Sequence, residues 1–144
     1  MRTARIWPAW GLVLPLAFGC GEGHPPTYPA GGTVTFPDGK LLSGGWVEFQ
    51  PIEAPQAVSA RGAIEPDGTF RLGTFSPDDG ALEGRHRVLV VPPTPAVDID
   101  AVEEIPEVID PRYRRFETSG LQFVVTRDPA RNRFAITVER PPTP

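Results

Sequence analysis

One cysteine, two histidines, one lysine and one asparagine in 144 residues exclude several protein classes at the outset. A lone Cys cannot make a disulfide framework, and one Cys with two His cannot make a zinc ribbon or finger. Basic residues are outnumbered, 14 to 18, for a formal net charge of −4, which argues against a nucleic-acid-binding face. Helix-compatible sequence is also scarce. The 19 Pro and 15 Gly make up about twice the ordinary share of these helix breakers. Hydrophobic residues still reach 40%, enough for a packed core. The length corresponds to about one domain.

The longest apolar run is Ile6 to Phe18, behind Arg2 and Arg5. It has the length of a signal h-region and falls short of the roughly 20 residues of a spanning helix. Leu16-Ala17-Phe18-Gly19-Cys20 follows and resembles a bacterial lipobox, in which the cysteine is diacylated and becomes the new N-terminus. Ala17-x-Gly19 also satisfies the small-x-small rule of ordinary signal cleavage. A buried structural Cys is the third reading. Residues 1–19 are therefore expected to be a lipoprotein signal and Cys20 a lipidation site. Cleavage would remove two arginines and no acid, taking the net charge from −4 to −6. Two acyl chains give stable anchoring where one does not. Residues 20–31 are expected to be a Pro/Gly-rich tether, at about 3 Å per residue lifting the body some 30 Å from the lipid. His24 belongs to that tether.

From Gly32 onward apolar residues alternate with period two. Expected strands are Thr33 to Phe36, Trp46 to Gln50, Val58 to Ile64, Thr69 to Gly73, Arg85 to Val91, Leu121 to Thr126 and Phe134 to Glu139. Pro37-Asp38-Gly39 and Pro66-Asp67-Gly68 have turn chemistry. Arg127 to Asn132 is expected to close a hairpin between the last two strands. The pattern predicts an all-β, seven-stranded antiparallel sandwich over residues 32–140, with a short tail at 141–144. Pro92 to Pro111 interrupts it with five Pro, six acids (Asp98, Asp100, Glu103, Glu104, Glu107 and Asp110) and no Lys or Arg. This 92–111 loop is too long for a routine sandwich connection. Arg112, Tyr113, Arg114, Arg115 and Phe116 follow directly. In extended chain, Arg112 and Arg114 would share one face. They form the expected binding patch, with Tyr113 and Arg115, for an anionic envelope polymer or a partner protein.

Gly32-x-Val34, then Asp38-Gly39-Lys40-x-Leu42-x-Gly44-x-x-Val47-x-Phe49, resembles the opening of carboxypeptidase regulatory-like domains. Asp67-Gly68-x-Phe70-x-Leu72 and Asp79-Gly80-Ala81-Leu82-x-Gly84-x-x-x-Val88-x-Val90 resemble their later motifs, with His86 in place of the usual aromatic. The resemblance covers most of residues 31–92 and implies a transthyretin-like (prealbumin-like) sandwich. With Pro111-x-Tyr113 and Thr118-Ser119-Gly120-Leu121, the chain looks like small envelope lipoproteins of planctomycete-type bacteria. The motifs are turn glycines and core apolars, which specify a fold more than a function.

Catalytic chemistry has few candidates. Transthyretin-like hydrolases carry a His/Arg cluster completed by a C-terminal Tyr-Arg-Gly-Ser, whereas this chain reads Pro141-Pro142-Thr143-Pro144. His86, the one His of the body, is expected on a strand, at the surface or half-buried. Ser43, Ser59, Ser76 and Ser119 lack a Gly-x-Ser-x-Gly elbow. Lys40 and Asn132 could form an isopeptide only as a buried pair, and both fall in expected turns. The acids of 98–110 lack EF-hand spacing. Trp46, Tyr113 and Phe116 are the aromatics a sugar-binding platform would use. The expectation is a non-catalytic, lipid-anchored protein of the cell envelope, facing the periplasm or cell surface, with a binding or structural sandwich, no cofactor and no metal. The membrane is its expected partner through the anchor, and nucleic acid is not. A transthyretin-like small hydrolase and a carbohydrate-binding surface module are the alternatives.

Overall fold

A computed structural model describes residues 23–55, 57–94 and 108–142. The signal segment, Cys20 and residues 95–107 of the acidic loop lie outside the described residues. The chain is mostly β. Its strands are β1 (Thr27–Tyr28), β2 (Gly31–Thr35), β3 (Trp46–Pro51), β4 (Ala60–Ala63), β5 (Thr69–Arg71), β6 (Ala81–Leu82), β7 (Gly84–Val91), β8 (Leu121–Val125) and β9 (Arg133–Thr137). The described helical structure is two single 3-10 turns, Pro111–Arg114 and Pro129–Arg131.

A four-stranded sheet runs β4-β3-β7-β8 and a three-stranded sheet runs β5-β2-β9, with β1-β6 as a small ribbon. The period-two pattern places Val47 and Phe49 of β3, and His86, Val88 and Val90 of β7, on one inner face. Val34, Phe70, Phe134 and Ile136 face them from the smaller sheet, and all of these are buried. Phe49 lies at the centre. Its ring centroid is 6.2 Å from Phe70, 5.4 Å from Phe134 and 6.0 Å from Phe123. Full burial of such a side chain contributes about 1.5–3 kcal/mol. The two sheets therefore share one core in a sandwich-like arrangement.

The seven expected strands all form, with ends displaced by at most two residues, and three features differ from expectation. The sheets are not purely antiparallel, because β2 and β9 pair in parallel, from Gly31↔Arg133 to Thr35↔Thr137. Alternation of side chains is the same for either direction, so it carries no sign of this. Residues 127–132 do not make a hairpin. They cross from the four-stranded sheet to the three-stranded one through the Pro129–Arg131 turn, held by buried Asn132. The expected tether is already part of the fold from Thr27, which pairs with Leu82 as Tyr28 pairs with Ala81. His24 stacks on Phe75 at 4.2 Å. Two-residue strands are too short to leave a periodic signal.

The C-terminal end of the acidic loop is docked. Ile109 is fully buried, and the Asp110 N–H donates to the Glu139 carbonyl at 2.9 Å.

Candidate functional site

The expected patch at residues 112–115 is built differently from its sequence reading. Asp110 caps the Pro111–Arg114 turn by accepting from the Arg112 N–H at 2.9 Å. Pro at the first position suits that start. The turn is not extended, so Arg112 and Arg114 do not sit on a strand face. Tyr113 is only 4% exposed and belongs to the core. It cannot be a surface aromatic, because the turn directs it inward while its neighbours stay out. Arg112 Nη2 donates to the Tyr113 hydroxyl at 2.7 Å and to Glu139 Oε2 at 2.8 Å. Its guanidinium also lies 4.7 Å from the Tyr113 ring centroid. This arginine ties the turn to the chain after β9. Arg114 and Arg115 are exposed. With Tyr113 buried and Trp46 on the outer face of the four-stranded sheet, the three aromatics do not assemble a platform.

His86 is 1% exposed, neither at the surface nor half-buried. Its position in β7 alternates inward with Val88 and Val90, and the ring fills the space of an aromatic beside Phe49, 6.1 Å away. Nδ1 lies 3.0 Å from the Gly84 carbonyl oxygen, which only accepts, so Nδ1 carries the hydrogen. Burial pushes its pKa below the ordinary value. The Gly84 bond and the charge of Glu53 pull the other way and do not prevail.

Ser119 is 5% exposed, and its hydroxyl donates to the Val88 carbonyl at 2.5 Å and accepts from the Leu121 N–H at 3.2 Å. Asn132 is 1% exposed. Its Nδ2 donates to the carbonyls of Thr126 at 2.8 Å and Pro29 at 3.1 Å. Its Oδ1 accepts from the N–H and the hydroxyl of Thr126. Asn132 adjoins the Gly31 end of the β2–β9 ladder, and Lys40 lies beyond the Thr35 end. An isopeptide between them is excluded by that separation.

A cleft of about 620 Å³ opens on the outer side of the three-stranded sheet. Gly31, Gly32 and Thr33 of β2 form its floor, with Arg71 of β5 on one side and Arg133 of β9 on the other. Gly31 stands opposite both arginines in register. A Cβ on Gly31 would collide with the Phe70 carbonyl oxygen, and one on Gly32 with that of Phe134. Only glycine admits this pairing, and its lack of a side chain leaves the cleft open. Arg61, Arg85, Arg112, Arg127 and Arg140 each make an ion pair with a carboxylate, and Arg87 donates to Gln50. The side chains of Arg71 and Arg133 have no hydrogen-bond or ion-pair partner among the described residues. Asp78, in a left-handed backbone conformation at φ 61°, also lines the cleft. The Gly31-Gly32 pair is the one sequence signal that could have marked a close backbone approach here, and the arginines lie 40 and 102 residues beyond Gly31 and share no motif with it.

No cluster of three metal-ligating side chains occurs among the described residues, and no described helix is long and apolar enough to cross a membrane. Comparison with protein-family models, with curated proteins and with solved structures finds no match to this chain.

Proposed function

We propose that this is a non-catalytic binding module of the bacterial cell envelope, a transthyretin-like sandwich held at the membrane by a lipid on Cys20. The observation that carries the binding reading is the cleft over Gly31, where two arginine side chains without partners among the described residues flank a floor left open by Gly31 and Gly32. The candidate groups for hydrolysis point the same way. His86 is enclosed, and the hydroxyl of Ser119 is committed to a backbone carbonyl. General acid–base work needs a group within reach of a substrate proton. The residues that carry the carboxypeptidase regulatory-like resemblance support the sandwich part of this reading through their burial and turns. Val34, Val47, Phe49, Phe70, Val88 and Val90 are core, while Gly39 and Gly68 take positive φ in turns.

Support for the anchor is the sequence from Arg2 to Cys20. The first described strand begins at Thr27, seven residues after Cys20, so an acylated chain would hold the body within about 25 Å of the bilayer. The test is Triton X-114 partitioning of the full chain. The wild type is expected in the detergent phase and Cys20→Ala in the aqueous phase. Identical partitioning of the two would refute the anchor. Hydrolysis of an acyl ester that disappears in His86→Phe would refute the non-catalytic reading.

A further inference from the structure

We propose that the cleft between Arg71 and Arg133 receives one phosphate ester of a small polyol, the chemistry shared by a glycerophospholipid headgroup and a soluble sugar or glycerol phosphate. The proposal deepens the binding reading above and rests on it.

Register sets the geometry. Arg71, Gly31 and Arg133 lie in one cross-strand row, with neighbouring strands about 4.8 Å apart. The two Cα atoms are therefore about 10 Å apart, with a residue lacking a side chain between them. Both arginines are exposed and lie on the same outer face, while Phe70 and Phe134 of the adjacent row point into the core. Two guanidinium forks can thus close on one oxyanion from opposite sides, and such charge-assisted, bidentate contacts are the strong ones. Neither fork must first be released from a carboxylate, unlike those of Arg61, Arg85, Arg112, Arg127 and Arg140.

Charge and size narrow the ligand. The chain carries a net −4, so its long-range field repels a polyanion, and the attraction is confined to this one pair of cations. A single anionic group fits that balance better than an acidic polymer does. The volume of about 620 Å³ exceeds what a bare phosphate needs and suits a headgroup or a monosaccharide phosphate. Asp78 supplies the second element. Asp78 lines the cleft, and a carboxylate there would repel a second anionic group and accept from hydroxyls. The Thr33 hydroxyl on the floor makes no hydrogen bond among the described residues and adds a neutral donor. Two cations, one carboxylate and a hydroxyl together select a phosphate that carries its own hydroxyl groups.

Position favours the lipid as the source. Pro29 and Ala30 line the cleft, nine and ten residues after Cys20. A chain of that length extends at most about 35 Å. An anchored body would hold the cleft within reach of the headgroups of its own membrane.

The test uses the full chain in neutral detergent, titrated calorimetrically with glycerol 3-phosphate and, in parallel, with inorganic phosphate. A second arm floats the full-length Cys20→Ala chain with phosphatidylcholine vesicles, with and without phosphatidylglycerol, so that acyl chains cannot supply the attachment. Arg71→Gln and Arg133→Gln are expected to weaken binding at least tenfold each. Arg131→Gln, which removes an exposed charge outside the cleft, is expected to leave it within twofold. Saturable binding of glycerol 3-phosphate above inorganic phosphate supports the site with a soluble source. Flotation that depends on phosphatidylglycerol and on both cleft arginines supports it with a lipid source. The proposal is overturned if neither probe binds, or if Arg131→Gln weakens binding as much as the cleft variants do. All three positions are exposed, and unchanged thermal midpoints would verify that the variants fold. Detergent-phase partitioning of the arginine variants is expected to match the wild type, so failure of the cleft leaves the anchor reading standing, and failure of the anchor leaves the cleft.

Discussion

His86 sits in the folded chain as a neutral imidazole with its hydrogen on Nδ1, and this has a pH consequence. The unfolded chain takes up a proton at this residue near pH 6.5, whereas burial keeps the folded one from doing so until lower pH. Stability therefore rises with pH through that window and falls as pH drops below about 6.5. The contribution of one residue cannot exceed about 1.4 kcal/mol per pH unit. Urea melts from about pH 5 to 7.5 are expected to show this slope, and His86→Phe is expected to flatten it. An unchanged slope in the variant would place the effect elsewhere. Asn132 shows a different economy, one amide side chain joining Pro29, Thr126 and the entry to β9. Asn132→Ala would leave the Thr126 N–H and two carbonyls without their partner. The expected loss is about 2–4 kcal/mol, read as a lower urea midpoint at constant slope. Neither role was legible beforehand. A polar residue in a Pro/Asp-rich stretch reads as a solvated turn, and a strand His reads as half-exposed, because burial of both depends on segments far away in sequence. Tyr113 was misread for a related reason. Three arginines around it suggested a surface, while the Asp110-Pro111 pair beside it was the real signal, a capped turn.

At the scale of elements, the loop between β5 and β6 is organised by a single carboxylate. Asp79 accepts from the N–H groups of Thr74 at 2.6 Å, Phe75 at 3.1 Å and Ser76 at 3.0 Å. Partial burial raises its pKa, but the three amides and the charge of His24 outweigh that and leave it below the usual carboxylate range. The stability this provides is present above about pH 3.9, the unfolded value, and is lost as pH falls through the lower folded value. It therefore fades in a more acidic window than the His86 effect. The next residue, Gly80, takes φ 93°, and a Cβ there would strike the Tyr28 carbonyl oxygen. The loop and β1 are thus coupled. Asp79→Ala is expected to cost about 1–2 kcal/mol, since water can satisfy the exposed Phe75 and Ser76 amides but serves Thr74 less well. Hydrogen exchange should accelerate across residues 73–80 and at Tyr28 together. Acceleration confined to the loop would show that β1 is held independently. Strands β3, β7 and β9 were legible because each presents at least two inward apolar residues in alternation, as Val47 and Phe49 do. β1 and β6 were not, since each offers a single pair.

At the scale of the whole molecule, the core was legible and the topology was not. Alternation puts Phe49 on one face with Val47, and Ile136 on one face with Phe134, without revealing which strands are neighbours. The decisive contact joins the first long strand to the last, about 100 residues apart in sequence, with both chains running the same way. That direction matters under load. A pull applied at Thr27 and at Arg140 reaches the ladder at its Gly31 end through β2 and at its Thr137 end through β9. The two-residue β1–β6 ribbon would peel first. The five-residue ladder would then be loaded in shear, its hydrogen bonds strained in concert and not unzipped singly. Single-molecule stretching between these points is expected to give a small early event and then one high-force rupture. Pulling across β7 and β8, which are antiparallel and peel from one end, should need less force. A protein tied to a surface at one terminus and gripped at the other would have a mechanical clamp in this ladder.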